Sequence, residues 1–220
     1  MRKLTGSVFV SLDGVMQAPG GPDEDPTSGF RFGGWVQPHW SEEMGPFEQL
    51  IMGEYDLLLG KRTYDIFSAY WPYNQDNPIG AKFQAIDKYV LTHSDEPLAW
   101  DNSHKLSGDT ASAVAELKRS AGRDLLIQGS STLYPPLLSE RLIDRLVLIT
   151  FPIVLGHGKR IFDGSETPGA MKLVDHFVSD KGVILTVFEP AGDVPTGSFA
   201  TEEPSAAELE RREKIEAGAW

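Results

Sequence analysis

Short apolar runs alternate along the chain with segments whose apolar residues recur at helical spacing. An apolar run of about four to eight residues is typical of a buried strand, whereas spacings of three and four residues indicate a helix that faces a core. The predicted strands are 4–12, 56–59, 88–91, 124–128 and 145–150, and the predicted helices are 40–52, 63–69, 110–121 and 133–140. Because strands and helices alternate, we expect an α/β fold with a mostly parallel central sheet and crossover helices.

The end of the chain has a different pattern. Segments 171–178 and 183–189 flank Ser179-Asp180-Lys181-Gly182, which predicts a C-terminal antiparallel hairpin. Beyond Pro190 the composition shifts to Gly, Pro, Ser, Thr and Glu, with a short charged helix predicted at 209–217. We therefore expect one domain over residues 1–190 and an extension over 191–220 that is flexible or docks on a partner subunit. The apolar late strands are consistent with a homodimer, and equally with a buried core.

Glycine and hydroxyl residues follow three of the predicted strands. The segments are Gly60-Lys61-Arg62-Thr63, Thr92-His93-Ser94 and Gly129-Ser130-Ser131-Thr132-Leu133. Ligands of parallel sheets bind at the carboxyl ends of the strands, and a helix N-terminus attracts phosphate through its unpaired N–H groups and its dipole. These segments therefore suit the separated phosphates of a dinucleotide. None of them is the G-x-G-x-x-G or P-loop motif, and strand-glycine-helix turns also occur in proteins without a ligand.

Four segments, taken in order, carry a family resemblance. They are Ser11-Leu12-Asp13-Gly14 and the runs 58–65, 127–133 and 151–162. Together they resemble the dihydrofolate-reductase-like superfamily, and in particular the reductase domain at the C-terminus of the bifunctional deaminase-reductase of riboflavin synthesis and its stand-alone relatives. The resemblance extends from Arg2 to Glu189. It implies a three-layer dihydrofolate-reductase-like fold.

The resemblance also implies an NADPH-dependent reductase. In such enzymes a long loop closes over the nicotinamide, and here that loop is the Gly-, Pro- and Asp-rich segment 15–34, with backbone groups near Val15 and Met16 meeting the carboxamide. Segments 60–63 and 129–133 would hold the phosphate chain, and segment 92–94 would surround the adenosine ribose and its 2′-phosphate. The alternative for a loop this long is a flexible surface connection.

Candidate catalytic and substrate-binding residues come from the same resemblance. Asp13 would orient the substrate or relay a proton, unless it only caps its own turn through Gly14. Glu43 and Phe47 lie four residues apart, on one helix face. This reproduces the carboxylate and aromatic that bind the pterin in dihydrofolate reductases, although Glu43 is also an ordinary solvated acid of a helix N-terminus. Trp35, at the end of the long loop, is a further candidate substrate contact.

The substrate that the resemblance implies is 5-amino-6-(5-phosphoribosylamino)uracil, which is reduced in riboflavin synthesis. Its phosphate needs a basic patch, for which Lys159-Arg160 or Arg31 are candidates, unless they are solvated surface charges. Aromatic residues from Tyr70 onwards either line a substrate cleft or pack against the fold. Two alternatives remain open: dihydrofolate as substrate, and a non-catalytic nucleotide-binding dimeric relative.

Composition narrows the choice of partners. Acidic residues outnumber basic ones, 32 against 20, so we expect a small-molecule substrate and neither nucleic acid nor membrane as a partner. The absence of cysteine excludes a thiolate metal site, and we expect a reductase without the zinc-dependent deaminase half. No basic leader or run of about eighteen apolar residues is present, which predicts a soluble cytoplasmic protein.

Overall fold

The structure is a computed structural model that describes residues 1–41, 44–200 and 202–219. The strands are β1 (Leu4–Ser11), β2 (Asp56–Gly60), β3 (Lys88–Leu91), β4 (Ser103–Leu106), β5 (Leu125–Gln128), β6 (Arg145–Phe151), β7 (Met171–Val178) and β8 (Ile184–Pro190). The helices are α1 (Gly45–Ile51), α2 (Lys61–Tyr70), α3 (Pro78–Ala85), α4 (Thr110–Arg119), α5 (Tyr134–Ser139) and α6 (Ala206–Glu216). Short 3₁₀ turns lie at Thr27–Gly29, Gln37–His39, Trp71–Tyr73 and Ser131–Leu133.

All eight strands form one sheet, in the order β4-β3-β2-β5-β1-β6-β8-β7. The strands from β4 to β6 in that order are parallel, whereas β8 pairs antiparallel with β6 and β7 pairs antiparallel with β8. Leu57 and Leu59 pack into one hydrophobic cluster and Leu58 into another, because alternate side chains of a strand point to opposite faces. The predicted α/β fold, its mostly parallel sheet and its C-terminal antiparallel hairpin are confirmed.

Three local elements differ from the sequence-based expectations. The helix predicted over 40–52 begins only at Gly45, since Pro46 fits the first turn of a helix and disrupts an interior. Helix α3, which the sequence left undefined, begins after Asn77, whose side chain accepts a hydrogen bond from Ile79 N. Strand β4 gave no apolar signal because it is an edge strand with half-exposed polar side chains.

The opposite edge of the sheet is apolar and exposed. Strand β7 presents Leu173, Val174 and Val178 to solvent, with exposed fractions of 48%, 40% and 55%. The predicted homodimer, the predicted boundary at residue 190 and the cytoplasmic location stay predictions. No helix in the described part of the chain is both long and apolar enough to span a membrane.

A buried ion pair joins the N-terminus to the sheet. Arg2 Nη2 lies 2.5 Å from Asp56 Oδ2, and both side chains are almost fully buried. Arg2 Nε also donates to the Arg123 carbonyl. Burial raises the pKa of Asp56, and the Arg2 charge opposes that effect. Because both side chains are buried, removal of Asp56 would leave the Arg2 guanidinium as an uncompensated buried charge, whereas Asp56 also lies 4.0 Å from Arg123.

We therefore expect Asp56→Ala to lower the free energy of unfolding by about 3–5 kcal/mol, since it leaves the Arg2 guanidinium buried and unpaired. Urea denaturation measures this change. The control is Asp65→Ala, which removes an aspartate whose side chain is 53% exposed in its pair with Lys61. The control should cost about 0.5 kcal/mol at most. Equal losses for both variants would contradict the importance of the buried pair.

Candidate functional site

Two turns at the carboxyl ends of neighbouring strands are joined by a reciprocal pair of hydrogen bonds. Strands β2 and β5 are adjacent and parallel, so the turns that follow them lie side by side. The Gly60 N–H donates to Ser130 Oγ at 3.0 Å, and the Ser130 N–H donates to Thr63 Oγ1 at 3.0 Å. We call this pair of bonds the hydroxyl clasp. It fixes the start of α2 against the β5 turn.

Gly129 allows the clasp to form. Its φ is +69°, a conformation that glycine adopts without strain. A Cβ at this position would lie 3.3 Å from Thr63 Cγ2, which is closer than side-chain atoms ordinarily approach. Glycine therefore suits this position of the β5 turn, because an alanine would be strained by the positive φ and would press on the Thr63 methyl group.

The start of α2 and the end of β5 bring polar groups to the same place. Gly60 is the N-cap of α2 and has no side chain that could cap the first turn of the helix. Gln128 is buried, and its Oε1 atom accepts no hydrogen bond among the described residues. A buried amide oxygen without a donor costs free energy, so Gln128 is a strained point of the β5 end.

The clasp opens into a cavity of about 860 Å³. This volume lies within the usual range for small-molecule and cofactor sites, roughly 300–1,000 Å³. Gln128, Gly129, Ser131 and Thr132 line its polar end. Much of the remaining lining comes from the loop 16–25 and from apolar and aromatic side chains of β1, α1, α2 and α3. The cavity thus has a polar end at the strand termini and a larger apolar part.

The loop that begins at Met16 forms one wall of the cavity and is held by Gln17. The Gln17 amide donates to the carbonyls of Asp25 and Thr27, and its Oε1 accepts from the Lys159 N–H at 3.0 Å. The Trp35 indole N–H donates to the Gln17 carbonyl at 2.8 Å. This part of the predicted lid is therefore a folded wall with defined contacts.

Charged groups on this wall pair with each other. The Lys159 ammonium binds the Asp25 carboxylate, and Arg62 lies 4.0 Å from the same carboxylate. Burial raises the pKa of Asp25, but its hydrogen bonds with Lys159 and Thr27 outweigh burial and lower it. Asp25 is consequently ionised at neutral pH and neutralises part of the positive charge beside the cavity.

Most of the predicted cofactor-binding residues lie on the cavity. Those that line it are Met16, Gly60, Arg62, Thr63, Gly129, Ser130, Ser131 and Thr132. Gly60 contributes through the clasp, since its N–H already donates to Ser130 and is not available to an anion. The sequence-based prediction was that Gly60 helps to hold the phosphate chain of the cofactor. The structure assigns it to the turn instead, and its binding role stays a prediction.

The other predicted cofactor residues lie outside the cavity lining. Val15 is fully buried, and its N–H donates to Ser11 Oγ. The Lys61 ammonium binds Asp65 and Glu96, away from the cavity. Leu133 packs in the hydrophobic core. Their roles in cofactor binding stay predictions.

Segment 92–94, which was predicted to surround the adenosine ribose, lies at the same edge of the sheet as the hydroxyl clasp. Gly60 pairs with Leu91 in the parallel β2–β3 ladder, so residues 92–94 emerge beside the start of α2. Thr92 is buried and its hydroxyl accepts from the Ser94 N–H, whereas His93 is exposed. The segment is not part of the cavity lining, and its contact with a ribose stays a prediction.

Asp13 binds the backbone of a neighbouring turn. Its Oδ1 accepts from Leu155 N at 3.0 Å and from Ser11 Oγ at 2.7 Å, and its Oδ2 accepts from Gly156 N at 2.9 Å. Arg160 Nη2 lies 3.1 Å from Oδ2. Burial raises the pKa of Asp13, but these hydrogen bonds outweigh it and hold the pKa well below its usual value. This geometry favours a structural role, while catalysis by Asp13 stays a prediction.

The candidate substrate-binding residues differ in whether they line the cavity. Phe47 lines the cavity. Trp35 does not line it, because its ring packs on Phe151 at 5.4 Å between ring centres and its N–H binds Gln17. Glu43 lies outside the described residues. The roles of all three in substrate binding stay predictions.

Sequence reasoning missed much of the apolar lining. The sequence placed Phe9 on one face of a strand and Ile66 and Phe67 in a helix, and it predicted no functional contact for these residues or for Phe83, yet all four line the cavity. Tyr70 and Trp71 were noted as either cleft or packing residues, and both line the cavity while Trp71 also packs on Phe83. The orphaned Gln128 oxygen had no signal in the sequence, because only tertiary contacts decide whether an amide has a partner.

Comparison with known proteins identifies the family. The sequence profile of the RibD C-terminal domain matches residues 2–185. The uncharacterized protein YyaP of Bacillus subtilis (strain 168) is 23% identical over 197 residues, covering 85% of this chain and 94% of YyaP.

Solved structures show the same fold. A diaminohydroxyphosphoribosylaminopyrimidine deaminase/5-amino-6-(5-phosphoribosylamino)uracil reductase from Thermotoga maritima superposes with a TM-score of 0.58 at 15% identity, covering 86% of this chain and 57% of that one. Dihydrofolate reductase from Enterococcus faecalis, in complex with NADP(H) and RAB-propyl, gives a TM-score of 0.53 at 14% identity, covering 86% of this chain and 96% of that one. The predicted dihydrofolate-reductase-like fold is confirmed.

We expect Asp13→Asn to lower the free energy of unfolding at pH 7 by about 1–3 kcal/mol, since the amide nitrogen cannot accept from Gly156 N or Arg160. The folded-state pKa of Asp13 lies below the unfolded value of about 3.9, so its contribution is present above that pH and is lost as pH falls through the folded value. Urea denaturation at pH 7 and pH 3 should therefore show a smaller difference between wild type and variant at the lower pH.

The control for this experiment is Asp193→Asn, because Asp193 pairs with Arg141 and its side chain is 90% exposed. This variant should change stability by about 0.5 kcal/mol at most. Unchanged stability of Asp13→Asn, together with lost turnover, would contradict the structural role and support the catalytic one.

Proposed function

The chain belongs to the RibD C-terminal domain family, and we propose that it is an NADPH-dependent reductase that transfers a hydride to a small heterocyclic, carbonyl or imine acceptor. The observation that carries this proposal is the convergence of the hydroxyl clasp, the start of α2 and the side chains of Arg62, Ser131 and Thr132 on one end of a cavity of about 860 Å³. Those groups suit a phosphorylated, hydrogen-bonding cofactor.

The residues at the polar end fit such a cofactor. Arg62 and the first-turn N–H groups of α2 would hold phosphate, with Ser131 and Thr132 as hydroxyl donors from the other turn. A Cβ at Gly129 would meet Thr63, so close packing at this turn depends on glycine. When bound, NADPH supplies the hydride.

The rest of the cavity would orient the acceptor and limit its contact with water. The wall that Gln17 holds in place closes one side, and aromatic side chains of α2 and α3 close another. Holding two reactants side by side in a partly enclosed site lowers the barrier to transfer without any group of the protein reacting itself. Asp13 is ionised and its oxygens are occupied by four donors, so we assign the proton of the reaction to solvent.

Two acceptors follow from the relatives. The Thermotoga maritima enzyme is a 5-amino-6-(5-phosphoribosylamino)uracil reductase, which supports that reaction for a member of the same fold. Dihydrofolate is the alternative that the lining position of Phe47 favours. A non-catalytic relative would bind NADPH without transferring its hydride to any acceptor.

Titration of the purified protein with NADPH, followed by fluorescence, tests the proposed function. We expect a micromolar dissociation constant that rises about tenfold in Arg62→Ala, because one charge-assisted phosphate contact is worth about 1.5–3 kcal/mol and roughly 1.4 kcal/mol is tenfold in affinity. The control Arg145→Ala removes an exposed arginine of β6 that pairs with Glu189 of β8, and it should leave the affinity for NADPH unchanged. Absence of NADPH binding by the wild-type protein would refute the proposed function.

A second variant tests the β5 turn. Gly129→Ala should weaken NADPH binding about tenfold, because the alanine strains a backbone with φ of +69° and its Cβ pushes on Thr63. Gly182→Ala is the matched control, since Gly182 has φ of +75° and its Cβ would meet nothing within 4 Å in the C-terminal hairpin. Both variants should lose a similar stability of about 1 kcal/mol in urea denaturation, and only the first should lose affinity. Equal affinities would show that the turn does not shape the cofactor site.

A further inference from the structure

Resting on the reductase function proposed above, we propose that the hydride acceptor is an uncharged, planar, apolar molecule and not a phosphorylated one. The same cavity contains two clusters of aromatic rings, and the cations that line it are already beside carboxylates. The inference concerns the apolar part of the cavity, beyond the polar end that would hold the cofactor.

Helix α2 sets the distance between these two parts. Thr63, Ile66, Phe67 and Tyr70 line the cavity and recur at the spacing of one helix face. Thr63 belongs to the clasp, and Tyr70 is the last residue of the helix, roughly 10 Å further along the axis at ~1.5 Å per residue. The C-terminal end of a helix carries a partial negative charge, so this part of the cavity disfavours an anion.

Two groups of rings surround the apolar part. The first cluster is Phe67, Trp71 and Phe83, and the second is Phe9, Trp40 and Phe47. In the first, Phe67 and Phe83 are stacked at 5.7 Å with 18° between their planes. In the second, Phe9 and Phe47 lie 5.2 Å apart. Aromatic walls of this kind bind flat, conjugated molecules through ring contacts and exclusion of water.

The charges along the cavity do not provide a second phosphate site. Arg62 and Lys159 are the cations among the described lining residues, and both lie beside the Asp25 carboxylate. Asp23 and Glu24 add two more acids to the same wall. Because NADPH itself brings phosphate to Arg62, a phosphorylated acceptor would meet an excess of negative charge.

The arginines that the sequence predicted for a substrate phosphate either pair with other groups or lie outside the cavity lining. Arg160 binds Asp13 and the Gly156 carbonyl and does not line the cavity. Arg31 is exposed and is not part of the lining either. The residues outside the described ranges are Glu42, Glu43, Thr201 and Trp220, none of which is cationic.

The reaction balances with NADPH as the reductant. Bound NADPH would supply the hydride as its nicotinamide C4–H bond breaks, and a new C–H bond would form on the electrophilic carbon of the acceptor. The electron pair released from the C=O or C=N bond would take one proton from solvent water at the oxygen or nitrogen, which leaves one hydroxide in the solvent. The acceptor would thus gain two electrons, and NADPH would become NADP⁺.

The experiment compares three acceptors in the full-length protein saturated with NADP⁺. The probes are menadione (2-methyl-1,4-naphthoquinone), 1,4-naphthoquinone-2-sulfonate and 5-amino-6-(5-phosphoribosylamino)uracil, and quenching of tryptophan fluorescence gives their dissociation constants. The first two share a ring system and differ by a methyl group and a fixed negative charge. We expect menadione to bind at least about tenfold more tightly than either anion.

Three variants test whether menadione binds in the apolar part of the cavity. Trp71→Ala should weaken menadione binding about tenfold while leaving the NADPH dissociation constant unchanged. Tyr73→Ala removes a neighbouring aromatic that is 82% exposed and does not line the cavity, and it should leave both constants unchanged. Ile79→Arg adds a cation to the lining and should reverse the preference in favour of the sulfonate.

The outcomes separate the two proposals. NADPH binding together with equal or tighter binding of the phosphorylated aminopyrimidine would overturn the acceptor inference and leave the reductase function standing. A menadione preference that survives Trp71→Ala would also overturn it, because binding would then lie elsewhere. Absence of NADPH binding would refute the reductase function itself. Single-turnover oxidation of bound NADPH by menadione, faster than in the absence of protein, would add direct support.

Discussion

Two hydrogen bonds between the β2 and β5 turns hold the candidate site together. The Gly60 N–H to Ser130 hydroxyl bond and the Ser130 N–H to Thr63 hydroxyl bond connect segments that are far apart in sequence and adjacent in the sheet. They fix where α2 begins, and α2 then forms one wall of the cavity along its whole length. A shift in either turn would therefore move both the phosphate-binding end and the aromatic end of the site.

The distribution of charge around the cavity follows from pairing. The chain is acidic overall, and much of its positive charge near the site is neutralised locally: Lys159 by Asp25, Lys61 by Asp65 and Glu96, and Arg160 by Asp13. Arg62, whose side chain is 59% exposed and 4.0 Å from Asp25, remains the cation best placed for a cofactor phosphate. Charge count alone would have overestimated how many anionic groups this site can hold.

Asp13 illustrates how one residue type serves different purposes within a fold. A carboxylate at the end of β1 beside a cofactor cleft suggested proton transfer, but its oxygens accept from Leu155 N, Gly156 N and the Ser11 hydroxyl. These bonds connect the end of β1 to the turn that follows β6, and so support the wall that carries Lys159. An acid fixed in this way stabilises the site through the backbone.

The sequence by itself determined the alternation of strands and helices, the parallel sheet with its antiparallel hairpin, and the glycine and hydroxyl turns at the strand ends. These features follow from local periodicity and backbone conformation, which neighbouring residues specify. Only the tertiary structure decided that Arg62 lines the cavity while Lys61 pairs with Glu96, and that Trp35 is core and Trp71 is lining. It also decided that the Gln128 oxygen has no hydrogen-bond partner in the part of the chain that the structure describes. Those outcomes depend on which distant residues meet each side chain, and residue type and spacing do not carry that information.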